Sequence, residues 1–133
     1  MPVIVELKEV SKSYGNSPVL DGVSLTIDEG SITGIIGKSG CGKTTLLSVM
    51  VGFLRPNRGR VYYRGKDLFK SGKAVEGRFG FSSQETSFYD KLTVEENLSY
   101  FGKMYGLKRK IVNDRAEALI RLFELESAAD TTG

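Results

Sequence analysis

Residues 31–52 constrain the fold more than any other part of this 133-residue chain. Within them, residues 37–44 read GKSGCGKT and fit the phosphate-binding pattern G-x-x-x-x-G-K-[ST]. An apolar run over residues 32–36 precedes the loop and predicts a short buried strand. A mostly apolar run, residues 45–51, follows the loop and predicts a helix. A strand, a glycine-rich loop and a helix in this order indicate a site that grips phosphate groups.

Each residue type in the loop has a physical role. Glycine lets the backbone adopt positive φ and approach a ligand closely. Successive N–H groups can then surround an anion at the helix N-terminus. Lys43 can reach β- and γ-phosphate oxygens, and the Thr44 hydroxyl can ligate Mg²⁺. The residues that we predict to bind the phosphates are Gly37, Ser39, Gly40, Cys41, Gly42, Lys43, Thr44 and Thr45.

Composition excludes several other kinds of chemistry. The chain has no histidine, so it cannot contain a His-dependent triad or acid–base pair. Its single cysteine, Cys41, cannot form an internal disulfide and fits a reducing cytosol. No run of about 18 apolar residues exists, and the first residues do not resemble a signal peptide. We therefore expect any membrane role to come through a partner.

The net charge of +3 is mild, but arginines and lysines are concentrated between residues 55 and 73. We interpret this basic segment as a solvent-facing surface, with a polyanion site as the alternative. The net charge by itself does not indicate a nucleic-acid partner, and none is expected.

Hydrophobic patterning predicts strands in the first two thirds of the chain and helices after it. Thr93 and Glu96 form a capping box for a helix that should end at Gly106. The predicted strands are 3–10, 19–27, 60–63 and 78–82, with a turn-rich segment at 11–18, and the predicted helices are 93–105 and 112–124. We expect a nucleotide-binding core over residues 1–90 and a helical part over residues 91–133.

Two further residues extend the pattern: Tyr14 before the loop and Gln84 after it. Together with VELKEVSKSYGNSPVLDGVSLTIDEGSITGIIGKSGCGKTTLL and GFSSQETSFYDKLTVEENL, they make the chain resemble the nucleotide-binding subunit of an ABC (ATP-binding cassette) transporter. The resemblance covers essentially all of the chain. It implies an α/β fold: a P-loop NTPase core, whose mixed sheet has an antiparallel part, plus the start of an α-helical subdomain.

The resemblance also implies roles and partners. Tyr14 would stack on adenine, and Gln84 would ligate Mg²⁺ or orient the attacking water, with Lys43 as the other catalytic residue. The subunit would bind MgATP and hydrolyse it to drive transport. Its partners would be a transmembrane permease subunit and a second nucleotide-binding subunit in a head-to-tail dimer. It would lie at the cytoplasmic face of the membrane, and LTVEENLSYFGKMYGL is similar to ABC-2-type export systems.

The family's signature motif, its Walker B strand and its switch histidine do not occur in the 133 residues. We therefore expect an N-terminal portion of such a subunit that binds nucleotide without being a complete ATPase. One alternative is a nucleic-acid-associated ABC-type ATPase, although the segment between Lys43 and Gln84 has no room for a coiled-coil arm. A second alternative is an inactive fragment. A small-molecule kinase would share the loop but not Tyr14, Gln84 and the capped helix.

Overall fold

The computed structural model describes residues 1–71, 78–82 and 87–130. Its backbone divides into two compact units, Met1–Phe81 and Ser82–Gly133. The elements of the first unit are β1 (Val3–Tyr14), β2 (Ser17–Asp28), α1 (Lys43–Met50), β3 (Arg58–Tyr63) and β4 (Lys66–Asp67). Those of the second are α2 (Val94–Met104), α3 (Arg109–Leu122) and a short 3-10 helix (Glu126–Ala128). The domain boundary between residues 90 and 91 stays a prediction, since compactness alone does not define a domain.

The strands of the first unit form one antiparallel sheet in the order β2-β1-β3-β4. Val5 and Leu7 of β1 point to one face and are buried there, because alternate side chains of a strand lie on the same side of the sheet. Val61 of β3, which pairs with Leu7, is buried on the same face, and Val10 of β1 is buried beyond a register shift. The helix α1 contributes to the same core. The buried residues of this core are Val5, Leu7, Val10, Leu20, Leu46, Val49, Met50, Val61 and Leu68.

The hairpin of β1 and β2 is longer than predicted. The segment 11–18, expected to be turn-rich, is strand up to Tyr14 and again from Ser17, which pair with each other. Only Gly15 and Asn16 form the turn, and Gly15 has a φ of 57°. Strand pairing on both sides of a two-residue turn therefore overrides the turn-forming composition around it.

The strand predicted over residues 32–36 is not present. Residues 31–38 have no regular secondary structure, Ile32 and Ile36 are fully exposed, and only Ile35 packs against the core. Within the described residues, no strand lies beside this segment to complete a ladder or to cover its side chains. The antiparallel part of the predicted mixed sheet is thus present, while the described residues contain no parallel strand.

The strand predicted over residues 78–82 is also wrong. Phe79 packs edge to face on Tyr63, with ring centroids 4.9 Å apart, and Phe81 packs in the same way on Phe53 at 5.3 Å. These aromatic contacts, which favour edge-to-face geometry, bury apolar surface without a strand ladder.

The second unit begins its first helix at the predicted capping box. The Glu96 backbone N–H donates to Thr93 Oγ1 at 3.1 Å, and the Thr93 N–H donates to Glu96 Oε2 at 2.8 Å. Asn97 is buried and donates through Nδ2 to the carbonyl oxygens of Tyr89, Leu92 and Thr93 at 3.0, 3.1 and 3.0 Å. Its Oδ1 accepts the Tyr89 N–H at 2.8 Å. No helix in the described part of the chain is long and apolar enough to cross a membrane.

Candidate functional site

The glycine-rich loop joins the irregular segment 31–38 to the N-terminus of α1. The Cys41 N–H donates to the carbonyl oxygen of Lys38 at 3.3 Å and closes a turn. Gly40 and Gly42 have φ values of 76° and 99°, so both lie in the left-handed region that side chains disfavour. Gly42 is the N-cap of α1, and its carbonyl oxygen accepts the Leu46 N–H at 2.8 Å. The predicted turn and helix are therefore present where the pattern places them.

The N-terminus of α1 is a donor-rich surface. The first N–H groups of a helix have no partner within the helix. In the part of the chain that the structure describes, no side chain caps this end, and the first turn contains no acidic residue. Unbonded N–H groups and the positive end of the helix dipole together favour an anion. Ser39 and Thr44 are exposed beside them, and Thr45 is half-buried.

Lys43 adds a full positive charge to this loop. Its Nζ donates to the carbonyl oxygens of Gly37 at 2.8 Å and Lys38 at 2.7 Å, and Cys41 Sγ lies 3.7 Å away. The ammonium group is therefore folded against the loop backbone rather than extended into solvent. A Cβ atom at Gly37 would lie 2.5 Å from Cys41 Sγ, so the absence of a side chain there keeps the loop compact.

The other side of the loop packs directly on the β1–β2 hairpin. A Cβ atom at Gly42 would lie 2.9 Å from Val19 Cγ1 and 3.1 Å from the Val19 carbonyl oxygen. It would also lie 3.4 Å from Leu20 Cδ2. Only glycine lets the start of α1 approach β2 this closely. The phosphate-loop pattern does not identify Val19 or Leu20, because they take part in the site only by packing against Gly42, which is distant in the sequence.

Tyr14 lies at the same end of this hairpin. It ends β1 and pairs with Ser17, which is two residues from Val19 and thus about 7 Å away along β2. Tyr14 is 53% exposed. The structure thus brings Tyr14 and the loop to one end of the hairpin. Gln84 lies outside the described residues, so its predicted role stays a prediction.

The residues present fit a nucleotide better than a metal ion held by protein alone. The described residues contain no cluster of three or more His, Cys, Asp or Glu side chains that could hold a metal. Outside the loop, a hydrogen bond with Tyr62 raises the pKa of Arg60, and a hydrogen bond with Tyr100 raises the pKa of Tyr89. A polyphosphate fits this loop, because the N-terminus of α1 has N–H donors without a side-chain cap. The glycines let a ligand approach the backbone, and the Lys43 ammonium group adds positive charge.

Comparison with known proteins gives a consistent result. A family model described as ABC transporter matches residues 20–133. The chain is 42% identical over 102 residues to "ABC transporter ATP-binding protein NatA" of Bacillus subtilis (strain 168), covering 76% of this chain and 42% of that protein. It is 36% identical over 120 residues to "Daunorubicin resistance ATP-binding protein DrrA3" of Streptomyces coeruleorubidus, covering 90% of this chain and 37% of that protein.

A solved structure of similar fold is titled "Structure of ATP binding subunit of ABC transporter". It aligns with a TM-score of 0.79 and 29% identity over 97% of this chain and 54% of that chain. The fold class predicted from the sequence, a P-loop NTPase core, is thereby confirmed. The chain spans about half the length of this solved protein, and less than half of the two curated relatives above.

Proposed function

Because the chain belongs to the ABC transporter family, we propose that it binds MgATP and forms part of the ATP-binding subunit of a transporter. The proposal rests most directly on one observation. The N-terminus of α1 carries no side-chain cap of its own, while the ammonium group of Lys43 lies against the loop that precedes it. This arrangement concentrates donors and positive charge where a polyphosphate can bind.

The loop residues would divide the work of binding. Backbone N–H groups between Ser39 and Thr45, apart from the Cys41 N–H that closes the turn, would donate to phosphate oxygens. The glycines at 40 and 42 would keep that backbone accessible. The Lys43 ammonium is held by two carbonyl oxygens and can exchange these for the more strongly accepting phosphate oxygens. The Tyr14 ring, half exposed at the hairpin end, would offer a face on which adenine stacks.

Mg²⁺ would be held by the Thr44 hydroxyl together with the nucleotide, and Gln84 is the second predicted protein ligand. The Thr44 side chain is exposed at the first turn of α1, so its hydroxyl is accessible. A bound Mg²⁺ neutralises charge that develops on phosphoryl oxygens. Lys43 would do the same from the protein side, which is why we propose it as a catalytic residue in the whole subunit.

In the whole subunit, we propose ATP hydrolysis that drives transport across a membrane. Its partners would be a transmembrane permease subunit and a second nucleotide-binding subunit in a head-to-tail dimer. The protein would then be held at the cytoplasmic face of the membrane through the permease. Export of the ABC-2 type stays a prediction from the segment 92–107, and the cargo is not assigned.

The test is a titration of the 133-residue chain with ATP in the presence of Mg²⁺, with binding measured by isothermal titration calorimetry. We expect saturable binding by the unmodified chain and none by Lys43→Ala, because the variant loses the cation that the loop holds. Lys66→Ala is the matched control: it removes the same charge from an exposed position of β4 and should bind ATP as the unmodified chain does.

Equal affinity of Lys43→Ala and the unmodified chain would contradict the proposal. So would equal weakening in Lys43→Ala and Lys66→Ala, since this would indicate attraction by net charge rather than a site. Inorganic tripolyphosphate serves as a second ligand in the same titration and separates recognition of the phosphates from recognition of the base.

A further inference from the structure

Lys12 lies over the ring of Tyr14. The Lys12 Nζ is 5.8 Å from the centroid of that ring, within the distance at which a cation is attracted to an aromatic face. The two residues are separated by one position on β1, so their side chains project from the same side of the strand. Neither the phosphate-binding pattern nor the family resemblance singles out Lys12.

The Lys12 side chain has a second contact, since its Nζ also donates to the carbonyl oxygen of Arg55 at 2.9 Å. The turn over residues 55–57, which contains Arg55, also holds the backbone next to Tyr14. The Asn57 N–H donates to the Ser11 carbonyl oxygen at 2.9 Å, and Asn57 Oδ1 accepts the Ser13 N–H at 2.8 Å. The turn over residues 55–57 therefore fixes the last residues of β1 by three hydrogen bonds.

The residue just before this turn is hydrogen-bonded to α1, the helix that follows the phosphate loop. The Leu54 N–H donates to the carbonyl oxygen of Ser48 in α1 at 3.1 Å. The N-terminus of α1 in turn packs on β2 at Val19. The end of β1 that carries Tyr14 is thus connected to both ends of α1, through the turn at one end and through the hairpin at the other.

We infer that Lys12 is a positioning residue for Tyr14: it holds one face of the ring so that the other face receives the base of the nucleotide. An exposed aromatic ring at a strand end can otherwise rotate about its side-chain torsions, and binding then has to restrict that motion. A cation anchored by a carbonyl oxygen restricts it beforehand. This inference deepens the proposed function and rests on it.

The test compares Lys12→Met with Lys8→Met in titrations with ATP and with inorganic tripolyphosphate. Lys8 is a close control, because it is on the same strand, has the same charge, and lies over the Tyr62 ring at 5.2 Å. We expect Lys12→Met to weaken ATP binding about two- to five-fold relative to Lys8→Met, the range for one exposed cation–π contact. Tripolyphosphate should bind both variants equally well.

A double-mutant cycle shows whether Lys12 acts through Tyr14. In a Tyr14→Ala chain, the further change Lys12→Met should leave ATP affinity unchanged, because the ring that it positions is gone. Lys12→Arg should restore most of the affinity, since a guanidinium group can also lie over the ring and donate to the Arg55 carbonyl oxygen.

Three outcomes would overturn the inference while leaving the proposed function intact. Lys12→Met and Lys8→Met could bind ATP equally, or Lys12→Met could weaken ATP and tripolyphosphate binding equally. Lys12→Met could also bind ATP more tightly than the unmodified chain, which would mean that Lys12 blocks the face that the base needs. Failure of the unmodified chain to bind either ligand would instead contradict the proposed function itself.

Discussion

Replacing Gly42 by alanine should destabilise the first unit more than the same replacement at Gly40. Both residues have positive φ, 99° and 76°, so alanine is strained at either position. They differ in what surrounds them. A Cβ atom at residue 42 would lie 2.9 Å from Val19 Cγ1 and 3.1 Å from the Val19 carbonyl oxygen, whereas at residue 40 nothing lies within 4 Å. The pair of variants therefore isolates the contact between the loop and β2.

The expected difference in the free energy of unfolding between the two variants comes from one contribution, because two others are similar in both variants and cancel. A left-handed alanine costs about 1–2 kcal/mol at each position. Alanine also lowers the conformational entropy of the unfolded chain by a similar amount in both variants. The contact with Val19 exists only for Gly42→Ala, and overpacking of this kind costs about 1–3 kcal/mol. We therefore expect the free energy of unfolding of Gly42→Ala to be about 1–3 kcal/mol below that of Gly40→Ala.

The measurement is urea denaturation with pulsed hydrogen exchange, read on peptides from β1 and β2. Peptide resolution matters because the two units need not unfold together. Equal midpoints for the two variants would refute the close approach of α1 to β2 at Val19. A lower midpoint for Gly40→Ala than for Gly42→Ala would refute it as well.

Further predictions concern the second unit. Asn97→Ala should lower its stability by about 2–4 kcal/mol, because it removes the hydrogen bonds that Asn97 makes to the Tyr89 N–H and the Leu92 carbonyl oxygen. Asn113→Ala, at an exposed position of α3, should change the stability by less than about 0.5 kcal/mol. Thr93→Ala should cost about 1 kcal/mol by removing the cap on the Glu96 N–H. Urea denaturation read on peptides from α2 and α3 checks both, and an Asn97→Ala chain as stable as Asn113→Ala would contradict the first.

Local signals in the sequence predict the loop, α1 and the capping box correctly. Gly40 and Gly42 have positive φ, which glycine adopts without strain. The capping box of Thr93 and Glu96 involves residues of a single helix turn. Such features depend on neighbours within a few residues. A sequence pattern can therefore identify them without knowledge of the rest of the fold.

The predictions that failed depend on distant partners. Ile32 and Ile36 would be buried in a strand only if another strand lay beside them, and both are exposed. A run of apolar residues does not show whether such a neighbouring strand is present. Likewise, Phe79 and Phe81 pack on aromatic rings that are far away in the sequence. No sequence pattern points to Lys12 for the same reason, since its partner Arg55 is 43 residues away.

The central claim, that the loop before α1 binds the phosphates of ATP, can be tested most directly by two-dimensional NMR of the 15N-labelled chain. Addition of MgATP should shift the amide resonances of residues 37–45 and the ring resonances of Tyr14, and Lys43→Ala should abolish both changes. Unchanged loop resonances, with shifts confined to the basic strands over residues 58–67, would contradict the claim and indicate non-specific binding of an anion.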